Sequence, residues 1–413
     1  MPSISYSKYQ TLRTCPRLFY WEHVRFMQRA REDGARAFGQ LYHLGLEAWW
    51  RTAGEGDAPW IDTDVALVNA LRAISEGSKH SETDSYEVAK AESMMIAYHA
   101  YYYDLQFERI GEGAEVWYEV PLRDPDGATV GNWKQIGRKD VLVRFEDRVR
   151  ASVVEHKSTA SDITPGTDYW TRLDVDGQIS AYIDAGNASG HDVCEVMWDA
   201  SRKPDLSPKR KTPDEERKMT KGRGCSTCGG SGGGKNGVKQ GDGTLTINRS
   251  SKLWKKYVVP NGEPAGDVVE VTMPCPDCKE GWKDAPRWTA DTNIEDEPVD
   301  DYRSRISEKI AENPSLYFRM QSITRDDDQI NEARADLVAA TVEIDGYWSR
   351  VRANAPSVEH PRARRLFPRN TSVCLNIYGR RCDFLDVCSG TIDDPANSPL
   401  YRIKQRPAQG ATK

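Results

Sequence analysis

Apolar and polar positions follow two different periods along the chain, and the change of period marks its segments. Apolar side chains recur at helical spacing in four N-terminal stretches, which predicts helices over 3–30, 35–53, 62–77 and 86–109. Pro16 predicts a break or a second start within the first of them. Short β-rich runs with polar turns between them then predict a meander of strands over 115–123, 129–134, 140–145 and 148–157.

The later elements complete a mixed pattern. A helix is predicted over 171–186, a strand over 194–199, and a strand near 315–324 between helices in 302–353. This order predicts an α/β (mixed) fold, with a sheet flanked by helices, built from residues 1–202 and 301–390. Residues 203–300, rich in Lys, Arg, Gly and Pro, predict an insertion with little core. Residues 391–413 are expected to form a loose tail.

Composition narrows the class of protein. The chain has 413 residues and a formal net charge of −6, which argues against a uniformly basic nucleic-acid-binding surface and leaves a local basic groove open. No run approaches the roughly 20 apolar residues of a membrane helix, and the start of the chain lacks a signal-peptide pattern. We therefore expect a cytoplasmic protein without a membrane partner. In that compartment its nine cysteines are not expected to form disulfides.

The main chemical signal lies in the meander, in the segments GRKD (137–140) and VVEHK (153–157). A hairpin with its turn at residues 147–148 sets Asp140 opposite Glu155, and side-chain alternation puts Lys157 on the same face as Glu155. Two carboxylates are oxygen ligands for Mg²⁺ or Mn²⁺, and a nearby lysine can orient a water or offset phosphate charge. The same residues also fit a surface hairpin with ordinary ion pairs.

Further residues favour the metal site over the surface hairpin, because they match the motifs of a known family in order and spacing over residues 3–200. The segment FGQLYHLGLE (38–47) contains G-x-x-x-H-x-x-x-E, and Q-x-x-x-Y occurs at Gln178 and Tyr182. With G-x-x-D and E-x-K, these elements resemble the RecB-like branch of the PD-(D/E)XK nuclease superfamily, which includes CRISPR-associated and phage exonucleases. The resemblance implies a restriction-endonuclease-like core sheet.

The resemblance also implies a role for each matching residue. His43, Asp140, Glu155 and the backbone carbonyl of His156 would hold Mg²⁺ or Mn²⁺, and Glu47 would support the helix of His43. Lys157 would be the catalytic lysine, with Asp140 and Glu155 as its catalytic partners. Gln178 and Tyr182 would contact DNA near the scissile phosphate.

A first set of cysteines also matches this branch. Cys15 lies in a segment that resembles its N-terminal element, and the other three, near the C-terminus, are Cys374, Cys382 and Cys388. The resemblance implies that the four hold a [4Fe–4S] cluster that ties the two ends of the domain together. The first two late cysteines are further apart than in the commonest pattern, so zinc and unligated buried thiols remain alternatives.

A second set lies in the insertion and forms two C-x-x-C pairs, Cys225 with Cys228 and Cys275 with Cys278. Two such turns can close a tetrahedron of thiolates around Zn²⁺, which predicts a zinc ribbon with hairpins from the runs 244–247 and 268–272. A redox-active or unligated pair is the alternative. The flanking Lys and Arg residues favour contact with DNA backbone, and docking to a protein remains open.

The residues together with the resemblance predict a metal-dependent DNA nuclease, and the resemblance alone implies an exonuclease acting on single-stranded DNA or DNA ends in replication, recombination or repair. The alternatives are a structure-specific endonuclease, an inactive DNA-end-binding or adaptor module, and a zinc-ribbon scaffold in which the nuclease match is accidental. The chain has no G-x-x-x-x-G-K-[ST] segment, so any unwinding is expected to need a helicase or recombination partner.

Overall fold

A computed structural model describes residues 2–30, 34–53, 63–81, 83–217, 244–261, 264, 266–274, 292–375 and 381–404. The chain divides into two compact units. One consists of Met1–Leu206 with Val299–Lys413, and the other of Ser207–Pro298.

Helices and strands of the described residues have the following bounds. The helices are α1 (Tyr6–Thr14), α2 (Pro16–Phe19), α3 (Gly34–Thr52), α4 (Thr63–Ser81), α5 (Ser85–Tyr101), α6 (Asp168–Thr171), α7 (Gly177–Ala188), α8 (Val299–Glu312), α9 (Asp327–Asn354), α10 (Pro361–Arg365) and α11 (Leu385–Ser389). The strands are β1 (Ser3–Ile4), β2 (Met27–Arg29), β3 (Phe107–Arg123), β4 (Thr129–Phe145), β5 (Ala151–Thr159), β6 (Val193–Arg202), β7 (Thr244–Asn248), β8 (Glu270–Pro274), β9 (Phe318–Thr324) and β10 (Tyr401–Ile403).

The first unit is built on a mixed sheet with the order β1-β4-β5-β6-β9, in which β3 also pairs with β4. Within the described residues, β1 with β4 and β5 with β6 are parallel, and the other three pairings are antiparallel. The mixed α/β class predicted from the sequence is confirmed. Because β5 and β6 are parallel, their connection needs a crossover, and α7 supplies it.

Helices cover both faces of this sheet. On one face α3, α4, α5 and α8 bury a cluster that includes Phe38, Ile74, Tyr302 and Val154. On the other face α7 packs against the sheet through Ile179 and Ile183, which meet Val153 and Trp198. Neighbouring residues of β5 thus face different layers, as strand alternation requires.

A third cluster joins the ends of this unit. Side chains from α1, the π-helical turn Tyr20–Val24 and α9 pack together with residues near the C-terminus, including Leu12, Tyr20, Ile344, Phe384 and Tyr401. The two-stranded ribbon of β2 and β10 closes it, with Tyr401 opposite Arg29.

Several helices begin where a side chain caps them. Asp84 accepts from the backbone N–H of Tyr86 at the start of α5, and Asp176 accepts from that of Gln178 at the start of α7. Asp326 and Gln329 form a reciprocal capping box at the start of α9. The cap at Asp176 matters for the site, because it fixes the first turn that carries Gln178.

The second unit contains the antiparallel hairpin of β7 and β8, in which Ile247 lies opposite Val271. Ile247 packs with Trp254, Tyr257 and Val258 in a small apolar cluster. The runs 244–247 and 268–272 were predicted to form hairpins, and the structure pairs Thr244–Asn248 with Glu270–Pro274.

Some boundaries differ from the sequence prediction. Residues 3–30 form two short helices, a π-helical turn and two strands, because Pro16 begins a new helix and removes a backbone donor. The predicted strands 129–134 and 140–145 are one continuous strand, β4. Residues 107–109 belong to β3 and not to a helix.

The expectation of a loose tail from residue 391 is wrong for the described residues up to 404. Tyr401 is buried, stacks on Phe384 with ring centroids 5.4 Å apart, and lies under the guanidinium of Arg29. Its apolar contacts and the ladder with β2 fix this segment. None of the helices described here has the length and apolar character to cross a membrane.

Candidate active site

The site begins where β4 and β5 part. These strands pair Val141 with Val154 and Leu142 with Val153, and extending that register by one step sets Asp140 opposite Glu155, the arrangement that the sequence analysis took because it suits the chemistry. The backbone ladder stops at Val141. In place of a further backbone bond, Oδ2 of Asp140 accepts from the backbone N–H of His156 at 2.7 Å. The carboxylate of Asp140 is thereby tied to the residue between Glu155 and Lys157.

Glu155 is the centre of a polar cluster on the α7 face of the sheet. Its residue is 3% exposed, and its Oε1 accepts from Lys157 in an ion pair and from Nε2 of Gln178 at 3.1 Å. The same amide donates to the hydroxyl of Tyr182 at 2.9 Å. Glu155 Oε2 is buried and has no hydrogen-bond partner among the described residues. One carboxylate oxygen is therefore held, and the other is left to accept a ligand.

Burial and the ion pair between Glu155 and Lys157 act in opposite directions on the pKa of each of these two residues. Burial, and then the charge of Asp140, raise the pKa of Glu155, while Lys157 acts against them. Burial lowers the pKa of Lys157, but Glu155 and Asp140 outweigh it, so that the net shift is upward. The ammonium also lies 5.2 Å from the ring centroid of Trp198. Lys157 is consequently a fixed cation at neutral pH, with its side chain 33% exposed.

His43 reaches this region from α3. The helix passes beside β5 at Gly39, where an added Cβ would lie 3.7 Å from Oγ of Ser158, an ordinary contact that does not itself require glycine. Burial, followed by the charges of His156 and Lys157, lowers the pKa of His43 to about 4. Its imidazole is therefore neutral at physiological pH, which is the form that binds metals. Glu47, one turn further on, forms an ion pair with Arg51.

The glycine of the G-x-x-D segment has a clear packing reason. A Cβ on Gly137 would come within 2.7 Å of Cε1 of Tyr118, the residue opposite it on β3. The ring of Tyr118 also lies under the ammonium of Lys139, 5.2 Å from its centroid. Substitution of Gly137 would push this ring out of the strand pair that leads to Asp140.

The sequence analysis missed a third carboxylate, that of Glu115. The pairs Ala114 with Val141 and Val116 with Lys139 bracket it, so Glu115 lies beside Asp140 on the neighbouring strand. It has a left-handed φ of 62° and forms an ion pair with Arg138. Burial, and then the charge of Asp140, raise its pKa to about 7. No local pattern indicates this position, because the β3–β4 register shifts between Arg109 and Ala114.

The opposite face of β5 holds a second polar group. Nδ1 of His156 and Oδ2 of Asp199 are 2.8 Å apart, and the Tyr98 hydroxyl donates to the same oxygen at 2.7 Å. Tyr102 donates to Oδ1 of Asp199 at 3.4 Å, and Trp50 Nε1 donates to the Tyr98 hydroxyl at 2.9 Å. His156 and Asp199 are 2% and 1% exposed. The sequence analysis did not find this network either.

The residues fit a hard divalent cation, although no three His, Cys, Asp or Glu side chains of the described chain stand together as a ligand shell. Two carboxylates meet at one end of the β4–β5 pair, one of them with a buried oxygen lacking a hydrogen bond. Carboxylate oxygens are the ligands that Mg²⁺ and Mn²⁺ prefer. In this structure Lys157 compensates the charge of Glu155, and the N–H of His156 compensates that of Asp140. A bound cation would compensate the same two carboxylates.

The structure brings the first cysteine set together. Four thiols line one cavity with apolar neighbours such as Leu18 and Phe384, and they are Cys15, Cys374, Cys382 and Cys388. All four are unbridged. Burial raises the pKa of Cys382 to about 11, and the other three thiols of the set add to that rise. The backbone N–H of Asn370 donates to Sγ of Cys15 at 3.3 Å, which fixes that thiol against the C-terminal segment.

The second cysteine set lies outside the described residues. Neither Cys225 and Cys228 nor Cys275 and Cys278 belong to them, although β8 ends at Pro274, next to Cys275. Their predicted zinc site therefore stays a prediction.

Comparison with known proteins identifies the family. The model of the PD-(D/E)XK nuclease superfamily matches residues 3–244, which is more than half of the chain and includes His43, Asp140, Glu155 and Lys157. The chain belongs to the PD-(D/E)XK nuclease superfamily.

Two further comparisons add little. The crystal structure of SSO0001 is similar at 15% sequence identity over 40% of this chain and 73% of that chain, with a TM-score of 0.17 that supports no argument. No curated protein matches the chain.

Proposed function

We propose that this protein is a metal-dependent exonuclease that hydrolyses phosphodiester bonds in single-stranded DNA or at DNA ends. Membership of the superfamily indicates a metal-dependent nuclease. The observation that supports an intact site is the cluster at the end of β4 and β5, in which Asp140, Glu155 and Lys157 lie together and Glu155 Oε2 has no hydrogen bond within the described residues. The exonucleolytic mode rests on the resemblance to RecB-like exonucleases.

The metal ligands we propose are the carboxylates of Asp140 and Glu155, the imidazole of His43 and the backbone carbonyl of His156. A bound Mg²⁺ or Mn²⁺ supplies Lewis acidity, which polarises the scissile phosphate and lowers the pKa of water. Neutral His43 and the free oxygen of Glu155 are suited to this role without any prior loss of a proton or a hydrogen bond.

Lys157 acts in this proposal as a cation and not as a base. Its raised pKa keeps the ammonium charged, so that it can offset the charge of the phosphate and orient a water by donating hydrogen bonds. Gln178 and Tyr182 hold Glu155 in the free protein, and we propose that they contact DNA near the scissile phosphate.

For the first cysteine set we propose a [4Fe–4S] cluster that clasps α1 to the C-terminal segment. Four unbridged thiols on one apolar cavity support this assignment, since four thiolates are the usual ligand set of such a cluster. Iron and sulfide analysis with the visible spectrum of anaerobically purified protein tests it. Zinc in their place would identify the alternative metal.

For the insertion we propose a zinc ribbon whose ligands are Cys225, Cys228, Cys275 and Cys278. The hairpin of β7 and β8, which ends directly before Cys275, supports it. Zinc content before and after Cys225→Ser with Cys228→Ser measures this site separately from the first set. We propose DNA contact as its role, with protein docking as the alternative.

We place this activity in the cytoplasm of a bacterial cell or a phage-infected host, in replication, recombination or repair, with a helicase or recombination protein as a possible partner. The unbridged state of the described cysteines is in keeping with a reducing compartment.

The test is degradation of end-labelled linear and circular single-stranded DNA with Mg²⁺ or Mn²⁺. We expect metal-dependent loss of linear DNA, spared circles, and no loss with Lys157→Ala. Lys134→Ala, a lysine in the first half of β4 that pairs with Ser3 of β1, is the matched control and should behave as wild type. Cutting of circles would establish an endonuclease instead. DNA binding without cleavage would establish an inactive end-binding module. If the protein neither binds nor cleaves DNA, the result would favour the zinc-ribbon scaffold.

A further inference from the structure

His156 lies between the two residues of the E-x-K segment and points away from them. Strand alternation puts the side chains of Glu155 and Lys157 on the α7 face and the imidazole of His156 on the face of α3 and α5. Anchoring the imidazole therefore fixes how β5 is rotated at this residue. The direction of both neighbouring side chains depends on that rotation.

The backbone gives β5 little support from β4 at this point. The β4–β5 ladder stops with Val141 and Val154, and beyond it the N–H of His156 donates to the side chain of Asp140 on β4. On its other side β5 continues in register with β6, where His156 is directly paired with Asp199. Residue 156 thus connects Asp140 on one side with Asp199 on the other.

Asp199 is itself rigidly held. Tyr98, in the last turn of α5, donates to one of its oxygens at 2.7 Å, and Tyr102, the residue after α5, donates to the other at 3.4 Å. Trp50 of α3 donates to the Tyr98 hydroxyl and packs its ring 5.4 Å from that of His156. Every member of this network is at least nine-tenths buried. A buried carboxylate with three fixed donors is costly unless all of them stay in place.

We propose that Asp199 is a positioning residue of the nuclease site, acting through His156 to hold Asp140 and Glu155 in place for the divalent cation. The inference rests on the proposed function and deepens it. It makes α5 and α3, through Tyr98 and Trp50, part of the support of a site on the opposite face of the sheet.

The chain offers a matched control on the same strand. Glu195 is also 1% exposed and also belongs to a buried network, in which it accepts from Ser152 at 2.6 Å and from Arg148 at 3.3 Å. It lies one residue pair from the start of the β5–β6 ladder, well away from residue 156. Glu195→Gln therefore disturbs a comparable buried carboxylate without touching the support of the site.

The experiment measures Mn²⁺ binding to the DNA-free protein by calorimetry. The heat that Asp140→Asn lacks is assigned to the nuclease site. We expect Asp199→Asn to weaken Mn²⁺ binding at that site about 10- to 100-fold, as is typical when the partner of a ligand-bearing group is lost. Glu195→Gln should keep wild-type affinity even where it lowers Tm equally. In cleavage assays, raising Mn²⁺ should restore kcat to Asp199→Asn.

Wild-type Mn²⁺ affinity in folded Asp199→Asn, or equal weakening in Glu195→Gln, overturns the inference while the nuclease proposal stands. If the wild type neither binds Mn²⁺ nor cleaves DNA, both proposals are overturned.

If circular dichroism shows that Asp199→Asn does not fold, Tyr98→Phe decides, because it removes one donor to Asp199 and keeps the ring. We expect it to weaken Mn²⁺ binding about threefold, less than the loss of the whole partner, and unchanged affinity would refute the inference.

Discussion

Two polar clusters lie back to back across β5, and they differ in how completely the oxygens of their central carboxylates, Glu155 and Asp199, are hydrogen-bonded. On the α7 face, Glu155 keeps one oxygen without a hydrogen bond among described residues, and Lys157 is a third exposed. On the α3 and α5 face, both oxygens of Asp199 accept bonds and the whole network is buried. Glu155 and His156, which are neighbours on β5, therefore belong to clusters of different kinds.

The difference separates two roles of buried carboxylates, one structural and one in ligand binding. A carboxylate whose two oxygens both accept hydrogen bonds, as those of Asp199 do, has a fixed geometry, although Nε2 of His156 beside it is buried without a partner among the described residues. A carboxylate with a buried, unpaired oxygen, such as that of Glu155, is destabilising by itself and gains by binding a ligand. Mutation of a fully hydrogen-bonded carboxylate such as Asp199 is expected to lower folding stability. Mutation of a carboxylate with an unpaired oxygen, such as Glu155, can leave folding stability unchanged or raise it while it lowers activity.

The sharpest test of this contrast is at Glu155. We expect Glu155→Gln to lower the rate of DNA cleavage by about a thousandfold, since loss of one group that stabilises developing charge already costs about 10²–10³. The metal-free protein should not lose stability, because burial penalises the charged carboxylate. Single-turnover cleavage and thermal unfolding measure the two effects. A large fall in Tm would show that Glu155 is a structural residue.

The opposite result is expected at Asp199. Asp199→Ala should lower the free energy of unfolding by about 3–5 kcal/mol, because it leaves His156 and two tyrosine hydroxyls buried without their acceptor. Urea denaturation followed by far-UV circular dichroism measures it. Glu108→Ala, which removes an exposed partner of Arg144, is the control and should change stability by less than about 1 kcal/mol.

Mg²⁺ should stabilise the protein through the cluster on the α7 face and not through the one on the α3 and α5 face. Mg²⁺ at a hundred times its Kd should stabilise the wild type by about 2.7 kcal/mol, and Asp140→Asn should abolish most of that gain. Asp140 is chosen because its carboxylate belongs to the unsaturated cluster and is tied to His156 by a single bond. Thermal scans with and without EDTA provide the measurement. A full Mg²⁺ response in Asp140→Asn would place the cation elsewhere.

A smaller effect is expected from one hydroxyl. Tyr98→Phe removes the bond to Asp199 and leaves the Trp50 indole N–H without its acceptor, so it should cost about 1–2 kcal/mol. The same change at Tyr103, which is 54% exposed, should have no measurable effect on denaturant midpoints. Equal effects at both positions would contradict the view that the hydrogen bonds to Asp199 stabilise the fold.

Much of this arrangement can be predicted from sequence because it is local. The β-rich runs with a polar turn over 140–157 predict a hairpin, and a turn placed at residues 147–148, chosen to suit the chemistry, gives the register that pairs Val141 with Val154. Helical spacing predicts α3 and α7, which carry His43, Gln178 and Tyr182. The grouping of Cys15 with three late cysteines came from the resemblance and has a counterpart in one cavity.

What could not be predicted depends on distant registers. Glu115 meets Asp140 only because β3 shifts register before Ala114, and Asp199 meets His156 only because a crossover brings β6 alongside β5. Neither residue has a distinctive neighbour in sequence. Tyr401 was assigned to a loose tail because three residues are too few to predict a strand, and its pairing with β2 is a tertiary contact.

The ribbon of β2 and β10 has a consequence for synthesis. Residues 27–29 are synthesised more than 370 positions before residues 401–403, their partner strand, and cannot pair until that strand has been made. Until then the apolar side chains of Tyr20, Trp21 and Met27 lack much of the cover that Phe384 and Tyr401 give them. This apolar surface therefore stays incomplete until β10 has been synthesised, and the pairing of β10 with β2 is the step that completes the cluster.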